Sequence, residues 1–169
     1  MKIDKNIRFG RISIQFDQTS GKITGISMYQ DSEFPEQKLS GKIEKLAKEL
    51  NSAFAGGKIK ITPDDLDLSI MRPFQRKILL CLYHNVPAGK VITYGKLAEL
   101  AGHPGASRAV GTAMSSNPFP VLLPCHRVIP SNGTPGKFGS GTEMKIEMLK
   151  AEGITFMQDG KINSEHIIN

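Results

Sequence analysis

Two adjacent residues, Cys125 and His126, carry the strongest chemical signal in the chain. They sit in Pro124-Cys125-His126-Arg127, directly after the apolar run Phe119-Pro120-Val121-Leu122-Leu123. The reactive form of cysteine is the thiolate, and a neighbouring base or positive charge lowers the pKa enough to populate it. Cys125 is therefore a candidate nucleophile and His126 a candidate base. Adjacency alone does not aim the imidazole at the sulfur, and Cys-His pairs also occur as purely structural features. The elements that position the pair have to decide between the two.

Those elements belong to a basic half of the molecule. The chain has 169 residues and a formal net charge of +6. Between Met71 and Ser140 lie eight basic residues, Arg72, Arg76, Lys77, Lys90, Lys96, Arg108, Arg127 and Lys137, against the single acid Glu99. That segment carries +7 and the remainder −1. A basic segment beside a nearly neutral one suggests a surface that faces a polyanion. At 39% hydrophobic the chain can bury a core, as one domain or two small ones. Its mean hydropathy is −0.21, and no apolar run approaches a membrane span. The start, Met1-Lys2-Ile3-Asp4-Lys5, has no apolar stretch of the secretory kind, so a cytoplasmic protein is expected.

The two cysteines, Cys81 and Cys125, have no metal-ligand spacing, and free thiols in a reducing compartment are the simplest reading. A Cys81–Cys125 disulfide stays open, although it would consume the nucleophile. Cys81 falls on one face of a predicted helix with Phe74, Ile78 and Leu82, which points to core packing.

Residues 7–30 read as a β-hairpin, with Ile12, Ile14 and Phe16 alternating before the turn Asp17-Gln18-Thr19-Ser20-Gly21. A helix is expected over 40–54, and Thr62-Pro63-Asp64-Asp65-Leu66-Asp67 reads as a linker. The expected fold is α/β: a small N-terminal sheet-and-helix domain over 1–68, then a mainly helical domain over 69–169. Pro73 suits the first position of a helix. Thr93 is a good cap for a short helix from Tyr94 to Ala101, which Gly102 ends. A second helix runs from about Ala106 to Ser115 with Val110, Ala113 and Met114 inward. Two short helices joined by a glycine turn form a helix-turn-helix pattern. The prolines of Asn117-Pro118-Phe119-Pro120 predict a stiff, extended segment leading to Cys125. Residues 131–141 read as an irregular glycine-rich loop able to approach a ligand closely. Thr142 is expected to cap a last helix, Glu143 to Glu152, and the tail from Ile154 carries no clear signal.

Phe74-Gln75, Pro87-Ala88-Gly89, Thr93-Tyr94-Gly95, Arg108-Ala109-Val110-Gly111, Asn117-Pro118 and Pro124-Cys125-His126-Arg127-Val128-Ile129 follow one another in this order. The segment over roughly 72–153 resembles the O6-alkylguanine-DNA alkyltransferases, or methylated-DNA–protein-cysteine methyltransferases. The resemblance implies irreversible transfer of an alkyl group from guanine O6 in double-stranded DNA to the protein's own cysteine, by a monomer without a cofactor. Cys125 falls on the acceptor. His126 falls on the base that deprotonates it through a water, and Glu152 on the carboxylate that orients the histidine, a triad logic. Tyr94 falls on the phenol that protonates the departing guanine. Asn117 falls on the asparagine that steadies the site.

Arg108 falls on the residue that replaces the flipped nucleotide in the stack, and Thr93, Ala109 and Ser115 belong to the same implied DNA surface. Val128, through its carbonyl, and Phe138 and Gly139 would line the guanine pocket. The physical demands agree with these roles. Displacement at an alkyl carbon needs a strong nucleophile, a guanine anion leaves more easily when protonated, and a lesion inside a duplex must be flipped out. A minor-groove helix suits a protein that seeks one lesion in any sequence.

The chain departs from the family pattern at Phe138, where many members have tyrosine, and at Gly139, where many have a side chain. Unchanged chemistry with an altered preference for bulky alkyl groups is expected. Some members carry an N-terminal zinc site; no cysteine or histidine precedes Cys81 here, so none is expected. A non-reactive lesion sensor is disfavoured by the presence of Cys125. A cysteine hydrolase using Cys125, His126 and Glu152 lacks any sign of an acyl substrate. A transcription regulator explains the basic segment but leaves Pro124-Cys125-His126-Arg127 without a purpose.

Overall fold

The computed structural model describes residues 2–7, 10–29, 45, 48–49, 52, 57 and 60–169. The helix expected over 40–54 lies outside the described residues, apart from isolated positions.

The alternation read in Ile12, Ile14 and Phe16 forms a strand, but the sheet has three members rather than two. β1 (Lys2–Ile7), β2 (Gly10–Phe16) and β3 (Ile23–Tyr29) pair antiparallel in the order β1-β2-β3. The register sets Ile12 opposite Met28 and Ile14 opposite Ile26, so four apolar side chains share one face. The β2–β3 turn is closed by Asp17, whose Oδ1 accepts from Ser20 N at 2.6 Å and Ser20 Oγ at 2.8 Å.

Residues 62–67 do more than link. Asp67 N donates to Ile23 O at 2.8 Å, and Leu66, 1% exposed, enters the core. One apolar cluster joins Ile12, Ile14, Ile26 and Met28 of the sheet to Ile78, Leu82, Leu97, Val110 and Phe119 beyond it.

The helical reading of the second half holds. α1 (Pro73–Asn85) opens on Pro73 at its first turn and buries Ile78, Leu79 and Leu82. Cys81 is partly buried against the same core and is a free thiol, as is Cys125. α2 (Tyr94–Leu100) is capped by Thr93, whose hydroxyl accepts from Lys96 N. α3 (Ser107–Ser115) buries Val110, Ala113 and Met114. α4 (Thr142–Ala151) starts one residue earlier than expected: Gly141, at φ 95°, is its cap and Thr142 its first residue.

A second sheet has no counterpart in the sequence pattern. β4 (Val91–Thr93), β5 (Val128–Ile129) and β6 (Ile167–Ile168) pair parallel in the order β5-β4-β6. Strands of two or three residues show no periodicity, and parallel partners are distant in sequence. The tail is thus anchored, and His166 Nδ1 stands 3.0 Å from Gly89 O. Among the described residues no helix is long and apolar enough to cross a membrane.

Candidate active site

Cys125 begins a single 3-10 turn, Cys125–Arg127, that runs straight into β5. The segment before it is folded, not extended. Leu123 N donates to Phe119 O at 2.8 Å, closing a turn, and Val121 sits at φ 75°. A β-branched residue in the left-handed region is strained by roughly 1–2 kcal/mol. The prolines fix their own φ angles but do not prevent a turn between them and Cys125.

Asn117 organises that turn with every polar atom of its side chain. Its Nδ2 donates to Leu123 O at 2.8 Å and to Cys125 Sγ at 3.1 Å, and its Oδ1 accepts from Phe119 N at 3.0 Å. Asn117 is itself placed by the end of α3, which Gln75 of α1 clamps through Ser116 O at 2.8 Å. Burial pushes the Cys125 thiol up, while the bond from Asn117 and the charge of Lys145 pull it down less strongly. The resting group is therefore a thiol, held among groups that favour its anion.

Behind the cysteine, His126 is 1% exposed and its Nε2 lies 2.9 Å from Glu152 Oε1. Arg127 grips the same carboxylate: Nε reaches Oε2 at 3.0 Å, Nη2 reaches Oε1 at 2.8 Å, and Nη1 donates to Val86 O at 2.8 Å. Burial alone would raise the Glu152 pKa, but His126 and Arg127 together outweigh it and hold the carboxyl at about 2. An ionised carboxylate only accepts hydrogen bonds, so His126 Nε2 carries the proton. Burial pushes the imidazole pKa down against the pull of Glu152, which keeps the ring neutral. Its Nδ1, buried and without a hydrogen bond from the described residues, is then a free lone pair and a competent base. The position of Glu152 at the C-cap of α4 is unfavourable by the helix dipole, and Arg127 compensates it.

Cys125 opens into a cleft of about 580 Å³. Tyr94, Asn117, Ser115, Phe138 and Gly139 also line it. Burial raises the Tyr94 phenol, with the neighbouring Cys125 adding to the effect, so Tyr94 is protonated and able to donate. Gly136 lets the pocket loop close: at φ 73°, an added Cβ would fall 2.7 Å from Pro130 Cδ. At Gly139 an added Cβ would meet nothing within 4 Å among the described residues. Arg108 and Ala109 stand exposed on α3, and Thr93 is half-buried at the start of α2. Val128 is fully buried, and its carbonyl accepts from Lys145 Nζ at 2.7 Å, which leaves its second lone pair for another donor.

Lys145 and Arg127 are the residues that sequence reasoning missed. Lys145 is 1% exposed, lines the cleft with Cys125, and has its pKa lowered to about 8 by burial. A signal existed, because Lys145 stands four residues before the buried Leu149 on the inward side of α4. For Arg127 it was the motif itself, in which only the cysteine and histidine were given work.

Residues 73–154 match the family model described as the DNA-binding domain of 6-O-methylguanine DNA methyltransferase. A methylated-DNA–protein-cysteine methyltransferase from Pyrococcus furiosus is 38% identical over 131 residues, covering 72% of each chain. Its namesake from Shigella flexneri is 48% identical over 81 residues, covering 48% of this chain and 47% of that protein. Against that relative the match therefore spans about half of either protein. Among solved structures, Mycobacterium tuberculosis OGT in complex with DNA is similar with a TM-score of 0.73 and 28% identity, covering 88% of this chain and 90% of that one. The O6-methylguanine-DNA methyltransferase of Pyrococcus kodakaraensis follows with a TM-score of 0.66 and 27% identity, covering 90% and 98%.

Proposed function

Because this chain belongs to the methylated-DNA–protein-cysteine methyltransferase family, we propose that it repairs DNA by moving the alkyl group of O6-alkylguanine irreversibly onto its own Cys125. The observation that carries this reading is the convergence on one cleft of Cys125, the Asn117 donor at 3.1 Å from its sulfur, and the protonated Tyr94, with the neutral His126 held by Glu152 behind.

The chemistry follows from the atoms. The Cys125 thiol gives its proton through a water to His126 Nδ1, the one free lone pair of the imidazole. The imidazolium that forms is stabilised by the Glu152 carboxylate at 2.9 Å. The thiolate is stabilised by the Asn117 donor and the Lys145 ammonium. It attacks the alkyl carbon: the S–C bond forms, the C–O6 bond breaks, and the electron pair leaves on guanine. Tyr94 donates a proton to that anion, which lowers the barrier to departure. The product is a thioether, which no group in the cleft can cleave, so each molecule reacts once.

The DNA reading rests on α2 and α3 as a helix-turn-helix. The outward face of α3 carries Arg108, Ala109, Thr112 and Ser115, all exposed. Gly111 lines the cleft, and an added Cβ there would meet nothing within 4 Å among the described residues. Small residues let a groove come close to the helix, and Arg108 is long enough to fill the gap left by a flipped nucleotide. The partner is double-stranded DNA approached from the minor groove, bound by one copy of the chain.

Substitution of Cys125 by alanine tests the reading. The variant should bind a duplex carrying O6-methylguanine in preference to undamaged DNA and transfer nothing. A Cys125→Ala protein that still removed the methyl group would refute the assignment. Arg108→Ala should lower transfer from a duplex far more than transfer from free O6-benzylguanine, which needs no flipping.

A further inference from the structure

Strand β3 of the N-terminal sheet reaches the cleft that holds Cys125, and Ile26 and Met28 are among its lining residues. They stand two apart on one strand, so both point to the same face. Ile12 and Ile14 oppose them in the neighbouring strand and back that face with core. Met28 is 9% exposed and Ile26 is 5% exposed.

The strand is tied to both adjoining walls of the cleft. Ile26 N donates to Pro118 O at 2.8 Å, beside the Asn117 that holds the sulfur. Ser140 Oγ donates to Met28 O at 3.3 Å, beside Gly139 in the pocket loop. β3 thus bridges the 117–120 turn and the 137–140 loop. A cleft of about 580 Å³ falls in the range that accepts whole small ligands, larger than a methylated base requires.

We propose that β3 is a specificity wall, and that Met28, with Ile26 behind it, sets the size of alkyl group that reaches Cys125. The proposal rests on the alkyltransferase reading and gives the N-terminal sheet a task beyond support. An unbranched thioether has three rotatable bonds and reshapes to fit its neighbour. Met28 can fold against a methyl group and withdraw from a benzyl group, whereas a shorter or more rigid side chain fixes the wall. Gly139, next to the Ser140 tether, adds no side chain to the adjoining rim.

The test uses the full chain and two probes, a duplex carrying O6-methylguanine and free O6-benzylguanine, with mass spectrometry following alkylation of Cys125. The ratio of benzyl to methyl transfer rates should rise about tenfold in Met28→Ala and fall about tenfold in Met28→Phe, the range that one or two methylenes give in an apolar pocket. Ile26→Val, a mild change that tests the wall even if Met28→Phe does not fold, should raise the ratio by roughly threefold. Opposite movements in the two Met28 variants distinguish a wall from a support, because a support would lower both rates together. Ratios that stay within about twofold of the parent in all three variants would overturn the proposal while leaving the transferase reading intact. A parent protein that alkylates Cys125 with neither probe would end both.

Discussion

Asn117 Nδ2 lies 3.1 Å from Cys125 Sγ and shares its second hydrogen with Leu123 O at 2.8 Å. One carboxamide therefore shapes the turn that presents the sulfur and also supplies a donor to its anion. Asn117→Ala should lower the single-turnover rate of transfer at least tenfold. It should also cost about 1–3 kcal/mol of stability, the usual penalty for stranding buried partners. Single-turnover kinetics and urea unfolding check the two effects. An unchanged rate would mean that the contact to sulfur is incidental.

Glu152 joins the base to the structure, because Arg127 is committed to it through Nε and Nη2 while His126 depends on it for its tautomer. Glu152→Gln keeps the shape and removes the charge, leaving a largely buried guanidinium without its counter-ion. Breaking such a pair costs about 3–5 kcal/mol. Urea unfolding should show a loss of that size, and alkyl transfer should slow with it. A variant as stable as the parent would contradict the buried role of Arg127.

The same carboxylate governs stability in acid. Its folded pKa, about 2, lies below its ordinary value of 4.5, so its stabilisation is fully present above pH 4.5 and is lost as pH falls toward 2. The contribution is on the order of 3 kcal/mol. Lys145 acts in the opposite direction. Its pKa of about 8, against an ordinary 10.5, means that burying the ammonium is unfavourable below pH 8 and that this cost is relieved as pH rises to 10.5. Urea midpoints measured across pH should show both limbs. Glu152→Gln should flatten the acid one and Lys145→Met the alkaline one. An acid limb unchanged in Glu152→Gln would contradict the assignment.

Among the described residues, α1 and α2 were legible because apolar spacing and end signals agree: Pro73 opens α1 and Thr93 caps α2. Cys125 and His126 were legible because they adjoin in a distinctive motif. The rest lies in relationships that sequence spacing does not encode. Glu152 meets His126 across 26 residues, and Lys145 meets Val128 across 17. Lys145 looks like any surface lysine until α4 turns it inward. The Val128 carbonyl accepts from Lys145 on a helix far along the chain, and Val128 itself belongs to a parallel sheet too short to announce itself. The turn at Val121 hid behind two prolines that predict extension, and Leu66 hid in an acidic, turn-rich stretch.

Gly139 lines the cleft from the pocket loop. An added side chain meets open space at Cβ, so Gly139→Leu should fold normally and narrow the cleft. Transfer from O6-benzylguanine should fall about tenfold more than transfer of methyl, as expected for an apolar pocket losing room. Rate ratios from competing probes report it directly. Equal losses for both groups would show that the loop does not set the width.

Under the proposed function, Cys125 accepts one alkyl group and keeps it. Mass spectrometry of the intact protein, and then of its Cys125 peptide, after incubation with a duplex carrying a single O6-methylguanine, tests it most directly. A gain of one methyl on Cys125, saturating at one per molecule, is expected. No gain on Cys125, or methyl removal that continues past one equivalent, would contradict it.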